Sequence, residues 1–273
     1  MQTAAIAISD HEFEKFQRFI HEAAGITLSP VKRALVGGRL APRLRHHQLG
    51  SYDDYFRMLS SGHAAAEVQT AVDLLTTNET SFFREPQHFD LLRQLASAPR
   101  DTRQKAFRVW SAASSSGEEA YTTAMVLADT LPEGNWEVFG SDISTRVLER
   151  ARNGQYALER SAQIPPHYLK RFCLRGKGAQ EGTLLIDSAL RRHVRFGRIN
   201  LNDALPDVGS FDVIFLRNVM IYFNEDTKRQ VVARLIETLK PGGHFLIGHA
   251  ESLNGLVDGL DFIAPAVYRK RLA

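Results

Sequence analysis

Residues 107–126 read FRVWSAASSSGEEAYTTAMV, and they carry the clearest chemistry in the chain. An apolar, β-rich run, Phe107 to Ala113, stops at the small residues Ser114, Ser115, Ser116 and Gly117. Two acids, Glu118 and Glu119, then open an apolar helix. Strand, tight small-residue turn and helix start together form the geometry that binds a nucleoside cofactor at the edge of a parallel sheet. The turn lacks the spacing of a G-x-G-x-x-G loop, and two acids at a helix N-terminus would repel a pyrophosphate. A nucleoside carrying positive charge fits better, and S-adenosylmethionine fits better than NAD.

Further candidates lie at the ends of later strands. Asp142 ends WEVFGSD (136–142); an acid at that tip accepts hydrogen bonds from ribose hydroxyls. The alternative is a cap for the helix at 144–152, a task Ser144 could do unaided. Asn200 and Leu201 end HVRFGRINL (193–201) at the usual adenine position; a turn role for Asn200 stays open. FDVIFLRNV (211–219) delivers Arg217 and Asn218 toward cofactor or substrate, with Tyr222 placed to reach the reacting centre or to serve as a core aromatic. The Asn/Asp-Pro-Pro-aromatic pattern of DNA adenine methyltransferases is absent here, which argues against a base as acceptor. No H-E-x-x-H pattern or cysteine pairing suggests a metal site, the nearness of His249 and Glu251 is a weak signal, and Ser114–Ser116 lack a G-x-S-x-G frame.

The elements that position these residues follow from periodicity. Residues 10 to about 77 read as four or five helices. Ser9 and Glu12 make a capping-box pattern before Phe13, Phe16 and Ile20. Pro30 starts a second helix that Gly37, Gly38 and Pro42 should weaken or kink. Residues 78–97 read as a loop running into a helix, with Pro86 near its start. From about 98 onward, strands alternate with helices, which implies a parallel doubly wound sheet. A helix from Asp226 to Leu239 is expected to end at Pro241-Gly242-Gly243 before a strand at 244–252, and 265–272 gives a last strand. Residues 155–192 interrupt the alternation and read as a small insertion with an antiparallel hairpin.

Composition narrows the class. The 273 residues suffice for a large domain plus a small one. Cys173 is the only cysteine, so no intramolecular disulfide forms, which suits a reducing compartment. The N-terminus lacks a basic n-region and long apolar core, and no apolar run approaches the roughly 20 residues that span a bilayer. The expectation is a cytoplasmic protein without membrane insertion. Net charge is only +3, but between Glu22 and Asp53 there is no acid, while Lys32, Arg33, Arg39, Arg43 and Arg45 cluster there. This is either a solvated face or a docking surface for an acidic partner. No aromatic residues interleave with the basic ones, so a nucleic-acid stacking platform is disfavoured.

With these residues in hand, the chain resembles the chemotaxis receptor glutamate methyltransferases of the CheR type. TNETSFFRE (77–85), SAASSSGEEAY (111–121), SDIS (141–144), FDVIFLRNVMIYF (211–223) and LKPGGHFLIGHAES (239–252) resemble that family's motifs in order. The resemblance implies an all-helical N-terminal domain (1–77), a linker loop and helix (78–97), and an S-adenosylmethionine-dependent methyltransferase domain of Rossmann-like α/β fold (98–273). A small antiparallel β subdomain is inserted at 155–192. It implies that Asn78, Thr80 and Arg84 fold over the cofactor alongside Glu118, Asp142, Asn200, Leu201, Arg217 and Asn218, with Arg84 and Tyr222 nearest the transferred methyl. The implied product is S-adenosylhomocysteine. The implied partner is the cytoplasmic domain of methyl-accepting receptors, met by Arg39, Arg43 and Arg45, with a receptor tail peptide as a further partner at the insertion. A monomer recruited to membrane receptor clusters is expected. The chemistry agrees: a glutamate carboxylate is ionised at neutral pH and needs no general base. Within this reading Arg84 and Tyr222 position the acceptor. The competing readings are a catalytically silent S-adenosylmethionine-binding module, a small-molecule or nucleic-acid methyltransferase, and an NAD-dependent oxidoreductase.

Overall fold

A computed structural model describes residues 6–99, 106–131 and 135–272. The first five residues and most of the loop expected over 97–105 lie outside the described residues. By contacts the chain divides into a helical unit, Met1–Thr77 with Tyr222–Thr227, and an α/β unit, Asn78–Ile221 with Lys228–Ala273.

The helical unit contains α1 (Asp10–Ala24), α2 (Arg33–His46), α3 (Tyr52–Leu59) and α4 (Ala65–Leu75). Helix α1 begins with a reciprocal cap: the Ser9 hydroxyl accepts the Glu12 N–H, and the Glu12 carboxylate accepts the Ser9 N–H. Its apolar stripe, Phe13, Phe16 and Ile20, is buried, and Phe16 packs against Tyr52, Tyr55 and Phe56. Helix α2 runs without interruption through Gly37, Gly38 and Pro42, the residues expected to weaken or kink it. Gly37 is there for space. A Cβ would lie 2.9 Å from the Ile8 side chain, and the Tyr52 hydroxyl donates to the Gly37 carbonyl at 2.8 Å.

The α/β unit opens with a strap, residues 78–86, and α5 (Gln87–Ser97). It continues with β1 (Phe107–Ser111), α6 (Glu118–Thr130), β2 (Trp136–Asp142), α7 (Thr145–Asn153) and β3 (Gln155–Ala157). Then come α8 (Pro166–Phe172), β4 (Cys173–Arg175), β5 (Thr183–Ile186), α9 (Ser188–Arg191), β6 (Val194–Arg198), β7 (Phe211–Leu216), α10 (Glu225–Thr238, its residues up to Thr227 counting with the helical unit), β8 (Leu239–Ile247), β9 (Leu260–Ala264) and β10 (Val267–Lys270). The main sheet has the order β6-β2-β1-β7-β8-β10-β9. Its first five strands are parallel, and β10 runs antiparallel to both neighbours. Strand order reverses between β1 and β7, which makes the carboxyl ends of those two strands the place for a ligand.

Two details differ from the sequence reading. Pro241-Gly242-Gly243 does not precede β8 but lies inside it, where the pairing with β7 shifts register; a bulge accommodates the glycines. The insertion forms a three-stranded antiparallel sheet, β3-β5-β4, one strand more than a hairpin. It is welded to the unit's core, since Tyr156, Tyr168, Phe172 and Ile186 pack in the same cluster as Phe82, Phe89, Tyr121 and Phe215. The strap helix α5 belongs to that cluster too.

Candidate active site

The turn after β1 is built by strain and by bonds to β2. Ser115 adopts φ 48°, unusual for a residue with a Cβ. Its N–H donates to Asp142 Oδ2 at 2.9 Å, and its hydroxyl donates to the Asn78 carbonyl at 2.8 Å in the strap. Gly117 takes φ 95°, and a Cβ there would lie 2.9 Å from that of Ala151. Asp142 Oδ1 accepts the Ser144 N–H at 2.9 Å. This corrects the expectation that Ser144 caps α7 unaided: its side chain makes no cap bond, and Asp142 receives the N–H instead.

The two acids of the turn are each paired with an arginine. Glu118 is fully buried, accepts the Ser116 hydroxyl at 2.7 Å and lies 2.5 Å from Arg160 Nη2. Burial pushes its carboxyl above the usual range, with Ser116 and Arg160 offsetting part of that. Glu119 accepts the Ser111 hydroxyl at 2.7 Å and Arg217 Nη1 at 2.9 Å. The bare acidic helix start of the sequence is therefore largely charge-compensated. Arg160, in a 3-10 turn of the insertion (Leu158–Gln163), went unnoticed in the sequence, where nothing distinguishes it from other surface arginines.

The Arg217 guanidinium, expected to face cofactor or substrate, is engaged within the protein. The side chain is only 2 % exposed and donates to Glu119, to Glu85 Oε2 at 2.9 Å and to the Arg84 carbonyl at 2.5 Å, over the rings of Phe89 and Phe215. Arg217 thus ties the strap to the carboxyl ends of β1 and β7. Phe83 and Glu85 take φ 52° and 57°, so the strap itself is held in sparsely populated backbone states. The Arg84 side chain donates to the Glu79 carbonyl at 3.2 Å, and the Thr80 carbonyl accepts Arg160 at 2.8 Å.

Asn218 follows with φ 56°. Glu251 fixes it: this carboxylate accepts the N–H groups of Asn218 at 2.9 Å, Gly248 at 2.7 Å and Ile221 at 3.3 Å. In the sequence Glu251 stands out only by its nearness to His249, which does not point to a role in fixing this loop. Asn200 bonds within its own turn, to Asp203 and to the Asn202 N–H. Leu201 is buried, and its carbonyl accepts Arg234 at 2.8 Å. Tyr222 falls by contacts in the helical unit, where its carbonyl accepts the Thr27 N–H at 2.7 Å.

Potential ligand atoms of Glu85, His88 and His249 lie within 4.8 Å of one another, a grouping the sequence reading did not foresee. His88 is buried, and burial followed by the nearby Arg217 charge holds its imidazole down to about 4. Glu85 is already paired with the Arg217 guanidinium, a charge that opposes a divalent cation at the same carboxylate.

Two of the three arginines expected to meet an acidic partner also make bonds within the helical unit. Arg39 donates to the Leu75 and Thr76 carbonyls at 3.2 and 3.0 Å, closing the end of α4. Arg43 grips Glu67 with both Nε, at 2.8 Å, and Nη2, at 2.6 Å, while Tyr55 donates to the same carboxylate at 2.7 Å. Arg45 is exposed.

Buried polar atoms without a hydrogen-bond partner gather around the turn: Ser114 Oγ, Glu118 Oε1 and Ser144 Oγ. Unpaired buried groups of this kind call for a ligand or ordered water. With Asp142 at the β2 tip and a parallel sheet that switches direction beside β1, they suit a nucleoside-bearing cofactor, and the class is that of the Rossmann-like S-adenosylmethionine-dependent methyltransferases. Residues 78–268 match the family described as CheR methyltransferase, SAM binding domain, and residues 11–76 match CheR methyltransferase, all-alpha domain. The chain belongs to the CheR methyltransferase family. It is 41 % identical to a chemotaxis protein methyltransferase of Salmonella typhimurium, covering 97 % of this chain and 92 % of that one. Identity to the Escherichia coli protein of the same name is 42 %, over 93 % and 88 % of the two chains. Identity to chemotaxis protein methyltransferase 2 of Pseudomonas aeruginosa is also 42 %, over 88 % and 86 %.

Proposed function

We propose that this protein methylates glutamate carboxylates on the cytoplasmic domains of chemotaxis receptors, giving methyl esters and S-adenosylhomocysteine. The observation that carries the cofactor half is Asp142, whose two oxygens are pinned by the N–H groups of Ser115 and Ser144 beside the buried Glu118. Asp142 would take the ribose hydroxyls, Asn200 and Leu201 the adenine, and Glu118 a cationic part of the cofactor. Asn78 and Thr80 belong to the strap that bonds to both Ser115 and Arg160. When bound, the cofactor supplies a methyl group on a sulfonium.

The acceptor half is supported by what the site does not need. A carboxylate is ionised at neutral pH, so no base must remove a proton. His88 is buried and held neutral, which suits packing better than proton transfer. Arg84 and Tyr222 position the acceptor, and Arg84 does so as a loose partner, since a tight bidentate pair would blunt the nucleophile. Among the described residues no helix is long and apolar enough to cross a membrane, and the receptor cluster is the working place this reading implies. A receptor tail peptide would add as a strand at the open edge of β4.

The test is to incubate the protein with receptor cytoplasmic fragments and methyl-labelled S-adenosylmethionine, then map the label by mass spectrometry. Label on glutamate side chains, lost on alkaline hydrolysis, supports the reading. Label on nitrogen, on a small molecule or nowhere overturns it.

A further inference from the structure

The pair formed by Glu118 and Arg160 is unequal. Glu118 is 0 % exposed and Arg160 is 43 % exposed, yet their charged atoms lie 2.5 Å apart. The carboxylate is fixed by the first turn of α6, and the guanidinium comes from the inserted subdomain. Arg160 also donates to the Thr80 carbonyl at 2.8 Å, so it stands where the turn, the strap and the insertion meet.

Neither partner is saturated. Glu118 Oε1 has the guanidinium beside it but no donor along a hydrogen-bonding direction, although the atom is buried. A guanidinium has five N–H donors, and the Thr80 carbonyl takes one of them. A carboxylate needing a donor and a guanidinium with donors to give, held side by side, complement a zwitterion. The α-amino acid end of a cofactor is such a group, with an ammonium and a carboxylate two bonds apart through one carbon. A nucleoside sulfonium without that end would give Arg160 nothing to hold.

Resting on the cofactor reading above, we infer that Arg160 binds the α-carboxylate of the methionyl half of S-adenosylmethionine while Glu118 takes its α-ammonium. The inserted subdomain therefore supplies part of the cofactor site, and selectivity for a cofactor bearing a carboxylate depends on it.

Calorimetry with two ligands tests this. Dissociation constants are measured for S-adenosylmethionine and for its decarboxylated analogue, which keeps the sulfonium and the amine, on wild type, Arg160→Leu and Arg160→Lys. Circular dichroism checks that each variant is folded. The wild type should bind the intact cofactor at least about tenfold more tightly, the scale of one charge-assisted hydrogen bond. Arg160→Leu should bring the ratio close to one, and Arg160→Lys should keep part of it. Any change that Arg160→Leu makes through Glu118 or the strap weakens both ligands alike and cancels in the ratio. A ratio that survives in Arg160→Leu, or a wild type that does not discriminate, overturns the inference and leaves the cofactor reading standing. A wild type that binds neither ligand overturns both.

Discussion

The main-chain N–H of Asn218 lies 2.9 Å from the Glu251 carboxylate, and this bond holds a residue with φ 56° at the carboxyl end of β7. The same carboxylate accepts Gly248 and Ile221. Burial pushes its pKa up and these N–H bonds pull it back. The packing is close: a Cβ on Gly248 would lie 2.5 Å from Asn218 Nδ2 and 2.9 Å from Glu251 Oε2. Glu251 is a positioning residue for the loop that carries Asn218.

Replacing Glu251 by Gln keeps the shape but turns one acceptor into a donor facing N–H groups. The expected cost is about 1–3 kcal/mol, the penalty of leaving buried donors unpaired. Thermal unfolding reads the stability and calorimetry the affinity for S-adenosylmethionine, which should fall, while KM for receptor changes little. Unaltered cofactor affinity would remove Glu251 from any positioning role.

Arg217 joins Glu119 of α6 to Glu85 of the strap with a side chain that is almost fully buried. Removing one partner of a buried ion pair leaves an uncompensated charge, and here it leaves two. Arg217→Met should destabilise by roughly 3–5 kcal/mol in urea unfolding. Adding Glu119→Gln should recover part of that loss, because the residues share one network. Strict additivity in the double variant would show that the pair is not coupled.

The strands were legible because apolar runs in a buried parallel sheet are nearly continuous, as in Phe211–Leu216, and the turn after β1 was legible because small residues there must accept tight geometry. Asp142 could be read from its place at a strand tip. The partners of these residues could not. Arg160 and Glu118 are distant in sequence, as are Arg217 and Glu85, and a single sequence does not say which arginine meets which acid. For the same reason the basic run in α2 looked like one surface. Helical geometry turns Arg43 inward to Glu67 and leaves Arg45 outside. The return of Tyr222–Thr227 to the helical unit leaves no local mark at all.

Glu67 makes the helical unit sensitive to acid. Burial raises its pKa, but bonds from Arg43, Tyr55 and His47 outweigh this and hold it at about 2, below the usual 4.5. A carboxylate depressed in the folded state stabilises above its unfolded value and loses that contribution as pH falls through the folded one. The stability difference between wild type and Glu67→Gln should therefore be largest above pH 4.5 and shrink steadily toward pH 2. Thermal midpoints of the two proteins across pH 6 to 3 would show it, and a constant difference would contradict it.

The same network separates folding from docking in α2. Arg43→Glu places an acid against Glu67 and should lower the thermal midpoint of the helical unit, with receptor methylation falling only as the fold is lost. Arg45 is exposed, so Arg45→Glu should leave the thermal midpoint and the affinity for S-adenosylmethionine unchanged. Reversing its charge should instead raise KM for an acidic receptor surface several-fold, more at low salt than at high, because screening removes the interaction between exposed charges. Steady-state methylation of receptor fragments at two ionic strengths measures this. A receptor KM that Arg45→Glu leaves unmoved at low salt would take the docking surface away from α2.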